Sequence, residues 1–122
     1  MKKLFSFLLA ATSLVGCQSN TAFKSVDALQ FAEVIANKDV QLVDARTPEE
    51  FSEGHIPGAV NIDVKSADFD TQIATLNPDR PVAVYCRSGR RSKLAAERMT
   101  NAGLQVTELS EGILSWKGEV VK

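Results

Sequence analysis

Pro81-Val82-Ala83-Val84-Tyr85-Cys86-Arg87-Ser88-Gly89-Arg90-Arg91-Ser92 is the stretch on which the fold turns. Five apolar or β-branched residues with no charge read as a buried strand over 81–85. The strand ends at a cysteine. Beyond five intervening residues a helix is predicted over 92–102, with Leu94, Ala95, Arg98 and Met99 along its face and Gly103 just past its end. A strand that feeds a helix through a short loop is the repeating half of a parallel α/β sheet.

The same grammar extends in both directions. Upstream, Val40-Gln41-Leu42-Val43-Asp44 is a second buried strand. Thr47-Pro48-Glu49-Glu50 combines an N-cap threonine, a first-turn proline and a glutamate three residues after the cap, so a short helix is predicted over 48–53 and stopped by Gly54. Gly54-His55-Ile56-Pro57-Gly58 must turn, and a short strand follows over 59–62. A further helix is read over 68–76, ended by Asn77-Pro78. Nearer the N-terminus, 23–26 forms a first strand, and Asp27 caps a helix over 28–37 that aligns Ala28, Phe31, Ala32 and Ile35. Downstream, 106–109 is a last strand, then Glu111-Gly112 and a short helix around 113–116. Strands alternating with helices give an α/β fold with a mostly parallel sheet covered on both faces.

In such sheets ligands bind at the carboxyl ends of strands, where Cys86 stands. Unpaired N–H groups at the start of the following helix are anion donors, and Gly89 permits the curvature that turns them inward. Arg87, Arg90, Arg91 and Lys93 put four cations beside the cysteine with no acid among them. A thiol in that field is expected to be largely thiolate near neutral pH. The plainer alternative, a buried structural cysteine, fits poorly with an arginine-rich, glycine-containing loop. For Arg90 or Lys93, a solvated outer face of the helix is the competing reading. A phosphate-binding P-loop is not indicated, because its glycine-lysine-serine ending is missing.

His55, the only histidine, is read as part of a structural turn, and Arg46 as one partner of a structural ion pair with Glu50, the alternative being a supporting role for Asp44 and Arg46 beside the loop. One histidine and one free cysteine do not make a metal cluster, and no cofactor is expected.

Composition adds limits. The chain has 122 residues, 44% hydrophobic and 24% charged, which fits one ordinary domain, and its net charge of −1 argues against a general nucleic-acid binder. These totals average unlike segments. Met1-Lys2-Lys3 precedes an uncharged apolar run from Leu4 to Val15, too short to span a bilayer and suited to an export signal. Leu14-Val15-Gly16-Cys17 resembles the lipobox of bacterial lipoproteins, in which the cysteine is lipidated and the signal is removed before it. That resemblance implies a signal peptide over 1–16, a lipidated tether over 17–22 and a domain over 23–122. It also implies a protein on the periplasmic side of a membrane. Gln18 is not the aspartate associated with inner-membrane retention in enterobacteria, which favours the outer membrane. The processed chain would keep 106 residues with 12 basic against 15 acidic side chains, since Lys2 and Lys3 are lost. With Cys17 consumed as a thioether, Cys86 would be the only free thiol, and an unpaired cysteine in an exported protein points to reactivity.

Cys86-Arg87-Ser88-Gly89-Arg90-Arg91-Ser92 resembles the active-site loop of rhodanese-domain sulfurtransferases. Leu42 through Phe51, Gly54-His55-Ile56-Pro57-Gly58-Ala59-Val60-Asn61, and Glu111-Gly112 followed by Trp116 resemble other stretches of the same family. The likeness covers about residues 23–118. It implies a single domain with a five-stranded parallel sheet, a persulfide carried on Cys86, and donor binding by Arg87, Ser88, Gly89, Arg90 and Arg91. The implied partners are an anionic sulfur donor such as thiosulfate and a cyanide or thiol acceptor. Related phosphatases and arsenate reductases place five residues between cysteine and arginine. Here only four separate Cys86 from Arg91, so the tighter loop suits a terminal sulfur better than a tetrahedral oxyanion. A binding module that holds sulfur without turnover is the rival from another class.

Overall fold

The strand Val82–Tyr85 is the centre of the sheet, and every residue in it is buried. In the computed structural model, which describes residues 22–122, five parallel strands are ordered β1-β5-β4-β2-β3. They are β1 (Lys24–Val26), β2 (Gln41–Asp44), β3 (Val60–Asn61), β4 (Val82–Tyr85) and β5 (Val106–Leu109). Four helices connect them: α1 (Ala28–Ile35), α2 (Pro48–Glu53), α3 (Phe69–Ile73) and α4 (Arg90–Asn101). A 3-10 turn at Ile113–Ser115 follows β5. The apolar N-terminal run, the lipobox with Cys17, and all of the tether except Ala22 lie outside the described residues. Among the described residues no helix is long and apolar enough to cross a membrane.

Alternation along β4 divides the core. Val82 and Val84 pack with Val43, Phe69, Ile73, Ala95, Ala96 and Met99 on the face covered by α3 and α4. Ala83 and Tyr85 pack with Leu42, Phe31, Ile56 and Leu109 on the face covered by α1. There Phe31 meets Tyr85 and Trp116 edge-on, at centroid distances of 6.4 and 6.3 Å.

The strand order places the site. From β2 the chain moves outward to β3, and from β4 it moves the opposite way to β5. Adjacent strands whose connections diverge leave a crevice at their carboxyl ends. Asp44 and Tyr85 are in register at that point, and Cys86 is the next residue.

Several boundaries differ from the sequence reading. Helix α4 begins at Arg90 rather than 92, so Arg90 and Arg91 belong to its first turn. Its buried face is Ser92, Ala95, Ala96 and Met99, a strict i, i+3, i+4, i+7 set, while Leu94 is 49% exposed. Helices α1 and α3 are shorter than 28–37 and 68–76. Helix α2 matches its predicted span, with both hydrogen bonds of the Thr47–Glu50 capping box present.

Candidate active site

Cys86 is 1% exposed and sits at the floor of the loop that joins β4 to α4. The Gly89 N–H donates to its Sγ at 3.1 Å. Outward-facing carbonyls hold the loop in shape. The Cys86 and Arg87 oxygens accept from Ile113 and Leu114 N–H at 2.9 and 3.2 Å, and the Gly89 oxygen accepts from Lys93 Nζ and lies 3.3 Å from Ser92 Oγ. Several of the loop amides, by contrast, are unpaired. Those of Arg87 and Ser88 have no partner among the described residues, and those of Arg90 and Arg91 lie in the first helical turn, where no intrahelical acceptor exists.

Glycine is required twice. Gly89 has φ +103°, and a Cβ there would lie 1.9 Å from the Ser110 carbonyl oxygen. Gly112 has φ +71°, and its Cβ would lie 2.1 Å from the Arg87 oxygen. The loop and the segment after β5 therefore approach backbone to backbone, which only residues without a Cβ allow.

The four cations divide into three kinds. Arg87 and Arg90 are exposed at the rim, and neither side chain has a partner among the described residues. Arg91 is held by Glu50 in a two-pronged pair, Nη1 to Oε1 at 2.7 Å and Nη2 to Oε2 at 2.9 Å. The bond from Arg91 holds the Glu50 carboxyl at about 2, and the Thr47 cap adds to that lowering against the opposing effect of burial. In return the Glu50 bond raises Arg91 further. Lys93, whose side chain is 45% exposed, nonetheless reaches the Gly89 oxygen at 3.2 Å, the Ser110 oxygen at 2.8 Å and Glu108 Oε1 at 3.2 Å.

The expected pairing of Arg46 with Glu50 is corrected. Arg46 grips Asp44, with Nη2 2.7 Å from Oδ2 and Nε 3.0 Å from Oδ1, and it also donates to the Gly54 oxygen at 2.7 Å. Both residues are buried. Burial pulls the Arg46 guanidinium down, but the hydrogen bond and charge of Asp44 outweigh it. Two residues apart, they fold the end of β2 over itself and leave Glu50 free for the loop. His55 is a turn residue: Nδ1 is 2.9 Å from the Phe51 oxygen, the ring stacks on Phe51 at 3.7 Å, and its backbone pairs with Val121. Beside it, the Ile56 N–H donates to the Tyr85 hydroxyl at 3.0 Å, and burial pushes that hydroxyl well above the usual tyrosine range.

Sequence reasoning missed one group altogether. Glu108 on β5 is fully buried behind the loop, and Ser92 Oγ donates to it at 2.6 Å. The only local signal was alternation along β5, which puts Glu108 on the same face as the core residue Val106.

The rhodanese-like domain model matches residues 27–119. A thiosulfate sulfurtransferase of Shewanella oneidensis is 34% identical over 98 residues, covering 79% of this chain and 94% of its own. An HTH-type transcriptional regulator of Mycobacterium tuberculosis is 37% identical over 97 residues, but this chain spans only 42% of it. Among solved structures, a rhodanese-related protein from Thermoplasma volcanium superposes with a TM-score of 0.72 at 30% identity, covering 81% of this chain and 98% of its own.

Proposed function

Because the chain belongs to the rhodanese-like family and is a sulfurtransferase of that type, we propose that Cys86 carries the sulfur and that thiosulfate is a competent donor. The Cys86 thiolate attacks the outer sulfur of thiosulfate. The S–S bond of the donor breaks, its electron pair leaves on sulfite, and a Cys86 persulfide anion forms. Cyanide or a thiolate then takes the outer sulfur and regenerates the Cys86 thiolate. Two half-reactions on one nucleophile are covalent catalysis with ping-pong kinetics.

One observation carries this reading: the Gly89 N–H donates to the Sγ of a buried thiol, in a loop whose Arg87 and Ser88 amides have no partner among the described residues. That cradle suits one anionic sulfur. Arg87 and Arg90, exposed and unpaired at the rim, attract the dianionic donor. Ser88 and Gly89 supply backbone donors. Arg91, neutralised by Glu50, acts mainly by fixing the first turn of α4. The relative from Shewanella oneidensis, a thiosulfate sulfurtransferase by name, supports the choice of donor.

From the N-terminal sequence we further infer that the protein is exported. Residues 1–16 act as a lipoprotein signal, Cys17 is lipidated, and residues 17–22 tether the domain of 23–122 to the periplasmic side of a membrane, the outer one favoured by Gln18.

The test mixes the purified chain with thiosulfate and cyanide and follows thiocyanate. Steady turnover is expected, and Cys86 should gain the mass of one sulfur when cyanide is omitted. Cys86→Ser should abolish both. A single stoichiometric burst would leave a sulfur-binding module instead, and sulfur loading that survives Cys86→Ser would overturn the assignment.

A further inference from the structure

Glu108 is a carboxylate in a place where an apolar side chain would serve the core more cheaply, since burying a charge is costly unless it is paired and hydrogen-bonded. Its neighbour in register on β4 is Val84. Every contact that satisfies Glu108 leads toward the loop or its support. Oε1 accepts from the Ser25 hydroxyl on β1 and from Lys93 Nζ on α4 at 3.2 Å. Oε2 accepts from Ser92 Oγ at 2.6 Å, and Ser92 Oγ lies 3.5 Å from Cys86 Sγ. Lys93 is the only charged side chain within ion-pair range of Glu108 among the described residues.

A serine hydroxyl has one proton to give. Glu108 at 2.6 Å claims it over the Gly89 oxygen at 3.3 Å, so the Ser92 oxygen presents a lone pair to the cysteine and can accept the thiol proton. Thiol, hydroxyl and carboxylate then stand in a donor-to-acceptor series that ends on a buried base. We propose that Glu108 is a positioning residue that takes the thiol proton of Cys86 through Ser92. The proposal rests on Cys86 being the nucleophile.

The step balances. The Cys86 S–H bond and the Ser92 O–H bond break as new O–H bonds form at Ser92 and at Glu108 Oε2. The products are a Cys86 thiolate that accepts a hydrogen bond from Ser92 and a neutral Glu108 carboxyl. No electrons are exchanged and the total charge is unchanged. The thiolate then takes the outer sulfur of thiosulfate as above, while the proton stays on Glu108 until the thiolate is regenerated. Lys93 is not stranded when Glu108 becomes neutral, because the Gly89 and Ser110 carbonyls hold it as well.

Glu108→Gln keeps the shape and an acceptor oxygen for Ser92 but provides no base. In the full chain, two rates would be followed across pH by intact mass: sulfur loading from thiosulfate and alkylation of Cys86 by iodoacetamide. At neutral pH both should fall about a hundredfold or more, the scale of a lost general base. At alkaline pH, where hydroxide deprotonates the thiol directly, both should return to the unsubstituted rates. Ser92→Ala should show the same shifted profile, and Ser92→Thr, which keeps the hydroxyl, should restore the original one. The serine pair gives the answer even if Glu108→Gln does not fold. Profiles that superimpose, or that drop by one factor at every pH, would overturn the proposal. Shifted alkylation in a chain that never loads sulfur would uphold the relay and sink the sulfur reading alone.

Discussion

At the scale of single residues, two glycines of left-handed backbone separate conformational strain from steric exclusion. Gly58 has φ +86° with nothing within 4 Å of an added Cβ, whereas the Cβ of an alanine at 89 would fall 1.9 Å from a backbone oxygen. Gly58→Ala should therefore cost only the left-handed conformation, about 1 kcal/mol. Gly89→Ala adds a backbone clash that must push Ser110 away from the loop, for a total of about 3 kcal/mol or more. It should also abolish sulfur loading, because the Gly89 N–H is the donor aimed at Sγ. Urea unfolding of both variants, with loading measured by mass, checks the pair. Equal stability losses would show that the contact with Ser110 does not constrain the loop. The need for glycine at 89 was readable from the chain, since a tight anion-binding turn demands it. The need for glutamate at 108 was not, because its partners Ser92 and Ser25 are 16 and 83 residues away and meet it only in the folded sheet.

At the scale of elements, Glu50 ties two helices into one site. It closes the capping box of α2 through the Thr47 N–H at 3.1 Å and receives Arg91 from the first turn of α4. Its carboxyl lies at about 2 in the folded chain against an ordinary value of 4.5. A depressed folded-state value means the stabilisation is fully present above about pH 4.5 and is lost as pH falls toward about 2. With Glu50 a quarter exposed, solvent screening reduces the gain to on the order of 1–2 kcal/mol. Glu50→Gln should therefore be less stable than the unsubstituted chain at pH 7. The gap should close through that acid window, as read from urea midpoints measured at successive pH values. A gap that is constant with pH would refute the linkage. The span of α2 was legible because its cap is complete within four residues. The start of α4 was not, because no side chain caps it and its first turn is set by Glu50, which is 41 residues from Arg91. The mistaken Arg46–Glu50 pair has another origin: Asp44 lies only two residues from Arg46, but the pair forms because the chain folds back at the end of β2, a turn that no local pattern announces.

At the scale of the whole molecule, parallel strands fix where the thiol faces relative to the point of attachment. All five strands run the same way, so the chain enters at the amino end of β1, at Lys24, while Cys86 lies at the carboxyl end of β4. On the proposed anchoring, the six residues from Cys17 to Ala22 reach at most about 20 Å. On that proposal they would keep the amino end of the sheet near the bilayer, with the carboxyl end and Cys86 on the far side of the domain. The acyl chains would then dominate membrane affinity, at about 0.8 kcal/mol per buried methylene. Holding the protein at the membrane and moving sulfur are then independent properties of opposite ends of one sheet. Cys17→Ser, expressed in a bacterial host, should move the protein from the membrane to the soluble fraction while the purified protein keeps its full rate with thiosulfate and cyanide. Fractionation followed by the thiocyanate assay measures both. A Cys17→Ser protein that stays with the membrane would refute the anchor, and one that is released but loses its rate would refute the separation of the two ends.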